Sequence, residues 1–149
     1  MPEALRDRAL GLLARREHTR RELMDKLAAQ AESVQELSAL LDDLSSSGLL
    51  SDRRYASSRI RARAERFGDA RLAHELRTKG VADEVVSEVL TAAEDELARA
   101  RRVWVRRFGQ RPTASGDAAE HARQMRFLAG RGFSTETIRR VLRAAPDGE

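Results

Sequence analysis

The residues of this chain best suited to binding chemistry are arginines concentrated near its middle. Residues 53–79 hold nine basic residues against three acidic ones, a net charge of +6, whereas the whole chain of 149 residues carries only +4. The basic residues are Arg53, Arg54, Arg59, Arg61, Arg63, Arg66, Arg71, Arg77 and Lys79. Because the guanidinium fork suits bidentate contacts with phosphate or carboxylate, this stretch indicates a polyanionic partner. A charged helical surface that only maintains solubility is the alternative.

Charge changes sign in blocks along the chain. Residues 32–52 and 82–98 contain acidic residues and no Arg or Lys. The segment after the second block is basic again, with Arg99, Arg101, Arg102, Arg106, Arg107 and Arg111. The pattern predicts a surface with separate acidic and basic faces, one of which could meet a polyanion. Pairing of acidic with basic helices inside the protein would produce the same pattern.

Sequence motifs for catalysis and metal binding are missing. The chain has no cysteine, no glycine-rich phosphate loop, no His-Glu-x-x-His and no Gly-x-Ser-x-Gly. Its three histidines, His18, His74 and His121, are too scattered for a metal cluster. We therefore expect no enzyme, no catalytic residue, no cofactor and no metal. The N-terminus resembles neither a signal peptide nor a membrane span, so we expect a cytoplasmic protein without a membrane partner.

The elements that carry these residues are predicted to be helices. Few aromatic residues and many Ala, Leu, Arg and Glu favour an all-α protein. Apolar residues at helical spacing predict nine helices in three rounds. Capping boxes at Thr19–Glu22 and Ser33–Glu36 open two of them, and Asp69 is a predicted N-cap. A long helix is predicted from Asp52 to Arg66.

The three rounds align with one another. Matching Ala31, Gly80 and Gly132 brings three leucines into register four residues earlier, at Leu27, Leu76 and Leu128. Self-similarity at about 50 residues is typical of a stacked array. We predict a single domain, residues 1–149, of three tandem three-helix bundle repeats (1–50, 51–93 and 94–149) stacked into an elongated, curved body. The connection 109–116 is predicted to be mobile.

Three motifs in the chain resemble those of the RecX family of bacterial regulatory proteins. The first is Ala9-x-x-Leu12-Leu13-x-x-Arg16-x-His18-x-Arg20-x-Glu22-Leu23. The central one is Asp52-x-x-Tyr55-Ala56, Ile60-Arg61-x-Arg63, Phe67-Gly68 and Glu75-Leu76-x-x-Lys79-Gly80-Val81. The last is Phe127-Leu128-x-x-Arg131-Gly132-Phe133-Ser134 with Ile138 and Leu142. Asp69 departs from the family, which usually has proline after Gly68, and Ala31-Glu32 departs from the Gly-apolar pattern of the other rounds.

The resemblance implies a protein that lies in the groove of the RecA–DNA filament. There it would inhibit filament growth, ATP hydrolysis and strand exchange in DNA repair, DNA recombination and the SOS response. It also implies weak, non-specific binding of single- and double-stranded DNA, and we expect a monomer. The residues predicted to contact RecA or DNA are Arg53, Arg54, Arg59, Arg61, Arg63, Arg66, Arg71, Arg102, Arg106 and Arg107.

A free-standing DNA-binding protein is the alternative function. Three-helix units resemble helix-turn-helix modules, which place a recognition helix in the major groove. Two of the three candidate recognition helices are acidic and would be repelled by phosphates, so that only the last, with Arg139, Arg140 and Arg143, is suitable. A purely structural helical scaffold is a third possibility, which would leave the basic stretch without a partner.

Overall fold

The computed structural model describes residues 2–109 and 117–144, and in these residues the chain forms nine α-helices and no strand. The helices are α1 Pro2–Arg15, α2 Arg20–Leu27, α3 Val34–Ser46, α4 Asp52–Arg63, α5 Asp69–Thr78, α6 Asp83–Ala92, α7 Glu96–Phe108, α8 Ala118–Gly130 and α9 Thr135–Ala144. The all-α prediction is confirmed. Apart from Gly109, the connection predicted to be mobile lies outside the described residues. None of these helices combines the length and the apolar character needed to cross a membrane.

The chain divides into two compact units. The first comprises Met1–Arg59 with Leu76–Val89, and the second comprises Ile60–Glu75 with Leu90–Glu149. The first unit therefore contains α1 to α3, and the second contains α7 to α9. The repeat boundaries proposed from the sequence stay a prediction.

Leucines form the core of the first unit. Leu23, Leu27, Leu41 and Leu44 are completely buried there, as the helical spacing of the sequence predicts. The capping box at the start of α2 also forms: the Thr19 hydroxyl accepts a hydrogen bond from the Glu22 N–H, and the Glu22 carboxylate accepts one from the Thr19 N–H, both at 3.0 Å. Local sequence signals therefore place α2 and α3 correctly.

The second unit has a more aromatic core, built around Trp104, Phe108, Leu128 and Phe133. The indole N–H of Trp104 donates to the side-chain oxygen of buried Gln124 over 2.8 Å, which satisfies both polar groups inside the core. Asp117 caps α8 by accepting from the Glu120 N–H. This packing supports α7, the helix that carries most of the second arginine block.

Three local predictions need correction. At the start of α3, Ser33 accepts from the Glu36 N–H, but Glu36 accepts from the Glu32 N–H instead of completing the predicted box. Asp69 is the first residue of α5 rather than its N-cap, and its carboxylate pairs with Arg99. The long helix predicted to reach Arg66 ends at Arg63.

The backbone hydrogen bonds change pattern after α4, where the N–H groups of Arg66 and Phe67 both donate to the Arg63 carbonyl, at 3.0 and 3.1 Å. In a continued helix the Gly68 N–H would donate to the Ala64 carbonyl. Instead the Gly68 N–H donates to the Arg131 carbonyl over 2.8 Å, and Arg99 donates to the Ala64 carbonyl over 3.1 Å. Tertiary hydrogen bonds therefore occupy the groups that would continue the helix beyond Phe67, and they hold the bend that carries Arg66 and Phe67.

Candidate anion-binding site

Two turns of the second unit meet at a pair of glycines. A Cβ added to Gly68 would lie 2.4 Å from the carbonyl carbon of Gly132. Gly132 itself has φ of +92°, and a Cβ added there would lie 2.3 Å from the Cβ of Arg71. Both positions thus require glycine, because any side chain would separate the turns. This contact brings residues 66–71 against residues 130–133.

The ring of half-buried Phe67 lies at the centre of this contact. Four guanidinium carbons surround it, at 4.1 Å from the ring centroid for Arg71, 4.5 Å for Arg63, 5.4 Å for Arg131 and 5.9 Å for Arg66. Cations within about 6 Å of a ring centroid are attracted by its quadrupole. Phe67 therefore gathers positive side chains that would otherwise repel one another.

A pocket of about 390 Å³ adjoins this cluster. Its lining residues are Arg66, Val103, Arg106, Arg107, Phe127 and Arg131. The guanidinium carbons of Arg107 and Arg131 lie 5.1 and 5.0 Å from the ring centroid of Phe127, so the second aromatic ring repeats the arrangement around Phe67. We call Phe67, Phe127 and the arginines 63, 66, 71, 106, 107 and 131 the arginine site.

Some arginines of this site already have partners. Arg63 forms a bidentate pair with Glu75 at 2.7 and 2.8 Å, and Arg71 approaches the same carboxylate at 3.4 Å. Arg106 donates to the backbone carbonyl of Glu65 over 2.6 Å. These contacts fix the side chains but do not neutralise them fully. Arg63 and Arg71 share the one negative charge of Glu75, and the acceptor of Arg106 is a neutral backbone carbonyl.

Four arginines of the site have no carboxylate partner among the described residues, because Arg106 bonds only to a backbone carbonyl. Among the described residues, no carboxylate bonds to Arg66, Arg107 or Arg131. Of the six site arginines, only Arg63 and Arg71 have a carboxylate partner in the described part of the chain, and both bond to Glu75. The resulting positive potential, with free N–H donors at its edge, suits a phosphate or carboxylate group. A cluster of three or more metal-ligating side chains does not occur in the ranges that the structure describes.

Buried Arg99 holds the turn that carries Phe67. Only 1% exposed, it donates to the carbonyls of Ala64 and Phe67 at 3.1 and 2.8 Å, and it pairs with the Asp69 carboxylate. Burial raises the pKa of Asp69, while the charge and hydrogen bond of Arg99 act in the opposite direction. Glu96 adds to this network by accepting from the Asp69 N–H over 2.8 Å. Side chains of α7 therefore position the bend.

Five of the predicted contact residues come together in the arginine site: Arg63, Arg66, Arg71, Arg106 and Arg107. Arg102 is also in the second unit, but it bonds to Glu94 and, over 2.9 Å, to Glu65, which raises its pKa and occupies its donors. Arg61 is exposed in that unit and has no bonded partner among the described residues.

The remaining predicted residues belong to the first unit. Arg53 pairs with Glu88 and Arg54 with Glu17 at 2.5 Å, so pairing of basic with acidic helices, the alternative interpretation of the charge blocks, occurs in part. Arg59 is exposed. Since α4 ends at Arg63, the helical spacing that was expected to align Arg59 with Arg66 does not extend that far. That any of the ten contacts a partner stays a prediction.

Arg131 and Phe127 belong to the arginine site but were not predicted from the sequence. Both belong to the motif of the last round, where Arg131 precedes Gly132. The signal that could have found them is the glycine that follows both Phe67 and Arg131, since a glycine allows the close approach that brings these two turns together. That Arg99, in the basic block, is a buried anchor was not predicted either.

Comparison with known proteins agrees with this fold. Residues 51–90 match the family model described as RecX, second three-helix domain, and residues 94–142 match RecX, third three-helix domain. The chain is 48% identical over 145 residues to the regulatory protein RecX of Ralstonia nicotianae, covering 97% of this chain and 89% of the relative. It is 50% identical over 143 residues to that of Leptothrix cholodnii, covering 95% and 89%.

A solved structure has a similar backbone fold. The crystal structure of RecX from Lactobacillus salivarius superposes with a TM-score of 0.84 over 97% of this chain and 96% of that one, at 20% identity, a likeness of fold. The sequence matches, which cover most of both chains, identify the family. The chain belongs to the RecX family, a family of regulatory proteins and not of enzymes.

Proposed function

We propose that this protein binds the RecA–DNA filament in the cytoplasm and inhibits RecA ATP hydrolysis, filament growth and strand exchange during DNA repair and recombination. Membership of a regulatory family supports the regulatory role, and the resemblance of its motifs supports RecA as the target. The observation that supports the arginine site as the contact is that Arg66, Arg107 and Arg131 line one pocket without a carboxylate partner among the described residues.

In this proposal the arginines of the site have two different roles. Arg66 and Arg107 form new bidentate bonds with phosphates of the DNA or carboxylates of RecA. Arg63 and Arg71, held by Glu75 and Phe67, contribute positive potential that attracts the filament. A protein bridging several RecA subunits opposes the subunit movements that couple ATP turnover to strand exchange, and it needs no active chemistry of its own.

Weak binding of bare DNA follows from the same arginines. Guanidinium contacts with phosphates carry no sequence information, so binding of single- and double-stranded DNA should be non-specific and sensitive to salt. We propose that the protein acts as a monomer and that DNA alone is a poor substitute for the filament, which supplies phosphates and carboxylates together.

RecA ATPase activity on single-stranded DNA tests the proposal. The site variant, Arg66→Ala with Arg107→Ala, is compared with a control variant, Arg140→Ala with Arg143→Ala. The control arginines are exposed on α9, lack partners among the described residues and remove the same charge. We expect the control to inhibit like the parent and the site variant to need at least about tenfold more protein, the loss of roughly 1.4 kcal/mol. Equal inhibition by the site variant would show that the assignment is wrong.

The same two variants test the helix-turn-helix alternative, which would place α9 in the major groove. Duplex binding is measured beside the ATPase. If the α9 variant loses duplex binding and inhibition while the site variant keeps both, the protein acts through α9 and the alternative is correct. If the site variant loses inhibition and the α9 variant does not, the alternative fails.

A further inference from the structure

We propose that the pocket lined by Arg66 and Arg107 is a site for a phosphate-bearing ligand the size of one nucleotide. The proposal rests on the proposed function, which already expects DNA phosphates at these arginines, and it adds that the pocket accommodates a free nucleotide. Free nucleotides and the nucleotide units of a single strand share this chemistry.

Convergence of four arginines is the first argument. Arg66, Arg106, Arg107 and Arg131 come from three separate segments, the bend after α4, the helix α7 and the turn after α8, and they line one pocket. A phosphate group presents three oxygens to donors arriving from different directions, whereas a carboxylate presents two in one plane. An arrangement of forks on several sides of a pocket therefore suits a phosphate better.

The size and walls of the pocket are the second argument. Its volume of about 390 Å³ lies within the range of small-molecule sites, roughly 300–1,000 Å³. Buried Val103 and half-buried Phe127 supply an apolar part of the lining. Phe127 is held by an edge contact with Phe108, with ring centroids 5.4 Å apart and planes at 89°. This apolar wall is small, but it lies beside the arginines, where the sugar or base attached to a phosphate would lie.

Preorganisation is the third argument. Arg106 is held by its bond to the Glu65 carbonyl and Arg131 by its bond to the Arg66 carbonyl, at 2.6 and 3.3 Å. These two arginines therefore need little rearrangement to bind, which lowers the entropic cost of binding. Arg66 and Arg107 keep their guanidinium donors unbonded within the described residues and are available to an incoming anion.

Competition is the consequence. The proposed function assigns Arg66 and Arg107 to the filament, so a nucleotide bound in the pocket prevents these two arginines from contacting the filament. Free nucleotides would then weaken inhibition at high concentration, and a strand that places one nucleotide in the pocket would strengthen binding to DNA.

Isothermal titration calorimetry of the full chain without RecA tests the proposal. The probes are ATP, a thymidine oligonucleotide, and citrate as a carboxylate of similar charge. We expect one ATP to bind per chain. The site variant Arg66→Ala with Arg107→Ala should bind it at least tenfold more weakly, and the Arg140→Ala with Arg143→Ala variant should stay within threefold of the parent. Since all four side chains are exposed, both variants should fold, and circular dichroism checks this.

Each outcome is decisive. Binding of ATP supports the proposal and assigns the pocket to free nucleotides. Binding of the oligonucleotide alone overturns it, because the proposed function already expects DNA phosphates at these arginines. The proposal is overturned by no binding of either probe, by citrate binding as tightly as ATP, or by equal losses in the two variants. Because RecA is absent, failure here leaves the ATPase result standing, and failure of the ATPase test leaves this result standing.

Discussion

At the scale of single residues, arginine has two distinct roles in this chain. Arg99 is buried, and its donors are satisfied by three backbone carbonyls and the Asp69 carboxylate. Arg66 and Arg107 are exposed and have no hydrogen-bond acceptor among the described residues. A buried guanidinium whose N–H groups bond to acceptors in the protein stabilises the fold. Exposed guanidinium groups with unbonded N–H donors are available to bind a partner.

Replacing Arg99 by methionine should destabilise the fold by about 3–5 kcal/mol, because it leaves the Asp69 carboxylate and three backbone carbonyls without their donor, at roughly 1 kcal/mol each. Urea denaturation measures the change. The control is Arg101→Met on the same helix, where the side chain is exposed and has no partner in the described part of the chain; its effect should stay within about 0.5 kcal/mol. Equal denaturation midpoints for the two variants would contradict the role of Arg99.

His18 gives the stability of the protein a dependence on pH. Its ring nitrogens lie 3.0 Å from the Arg16 carbonyl and 3.0 Å from the Lys26 ammonium, an arrangement that fits the neutral imidazole. Burial lowers the pKa of His18 most; the bond to the Arg16 carbonyl and the charge of nearby Glu22 raise it, and the charges of Arg16 and Lys26 lower it further. The folded chain therefore binds this proton less readily than the unfolded chain, whose pKa is near 6.5.

The sign of the effect follows from that difference. Stability should be greatest above pH 6.5, fall as the pH drops below that value, and level off below the folded pKa. Glu22, whose pKa is lowered, contributes its own loss at more acidic pH. Urea denaturation midpoints at pH 7.5, 6.5 and 5.5 measure this loss of stability. The loss between pH 7.5 and 5.5 should be smaller in the His18→Gln variant. An unchanged pH dependence in that variant would exclude His18 as the cause.

At the scale of elements, each unit contains one copy of the same junction. In the first the Thr19 hydroxyl donates to the Lys79 carbonyl over 2.7 Å, and in the second the Gly68 N–H donates to the Arg131 carbonyl over 2.8 Å. Each acceptor precedes a glycine with φ of +92°. A Cβ on that glycine would meet an arginine side chain from the start of an earlier helix, Arg21 or Arg71. The sequence repeat thus corresponds to a repeated contact.

A methyl group at the second junction should separate its turns. Gly68→Ala places a Cβ 2.4 Å from the Gly132 backbone, and such overpacking costs about 1–3 kcal/mol or more. The variant should also inhibit RecA less well, because Arg66 and Arg131 move apart. The control is Gly130→Ala, where an added Cβ meets nothing within 4 Å and φ is not positive; it should be neutral or stabilising by up to about 1 kcal/mol. Denaturation midpoints and ATPase inhibition compare the two, and matching values for both would contradict the junction.

Sequence reasoning succeeded where the signal was local. The Thr19 capping box and the leucine spacing of α3 depend on residues within one or two turns, and both formed as predicted. The bend after α4 and the partner of Asp69 involve Arg99, about 30 residues away, and no local pattern shows that contact. The site was predicted in part for the same reason: a run of arginines predicts charge, but Arg131 joins it through a contact between two distant turns.

At the scale of the whole molecule, a net charge of +4 with a basic cluster predicts weak DNA binding that salt reduces. The logarithm of the single-strand binding constant should fall with the logarithm of salt concentration with a slope of about −0.7 for each neutralised phosphate. Removing Arg66 and Arg107 should make the slope shallower by roughly 1.4 if both contact phosphates. An unchanged slope would show that neither touches DNA and would leave RecA carboxylates as their partners.

Affinity for the RecA filament shows whether the arginine site binds it. Because the chain has no cysteine, one introduced as Ala39→Cys, at an exposed position of α3, carries a fluorophore. Fluorescence anisotropy then measures binding to preassembled filaments at one salt concentration. The parent and the Arg140→Ala with Arg143→Ala variant should bind equally, and the Arg66→Ala with Arg107→Ala variant at least about tenfold more weakly. Equal affinity of all three proteins would contradict the assignment of the arginine site to the filament.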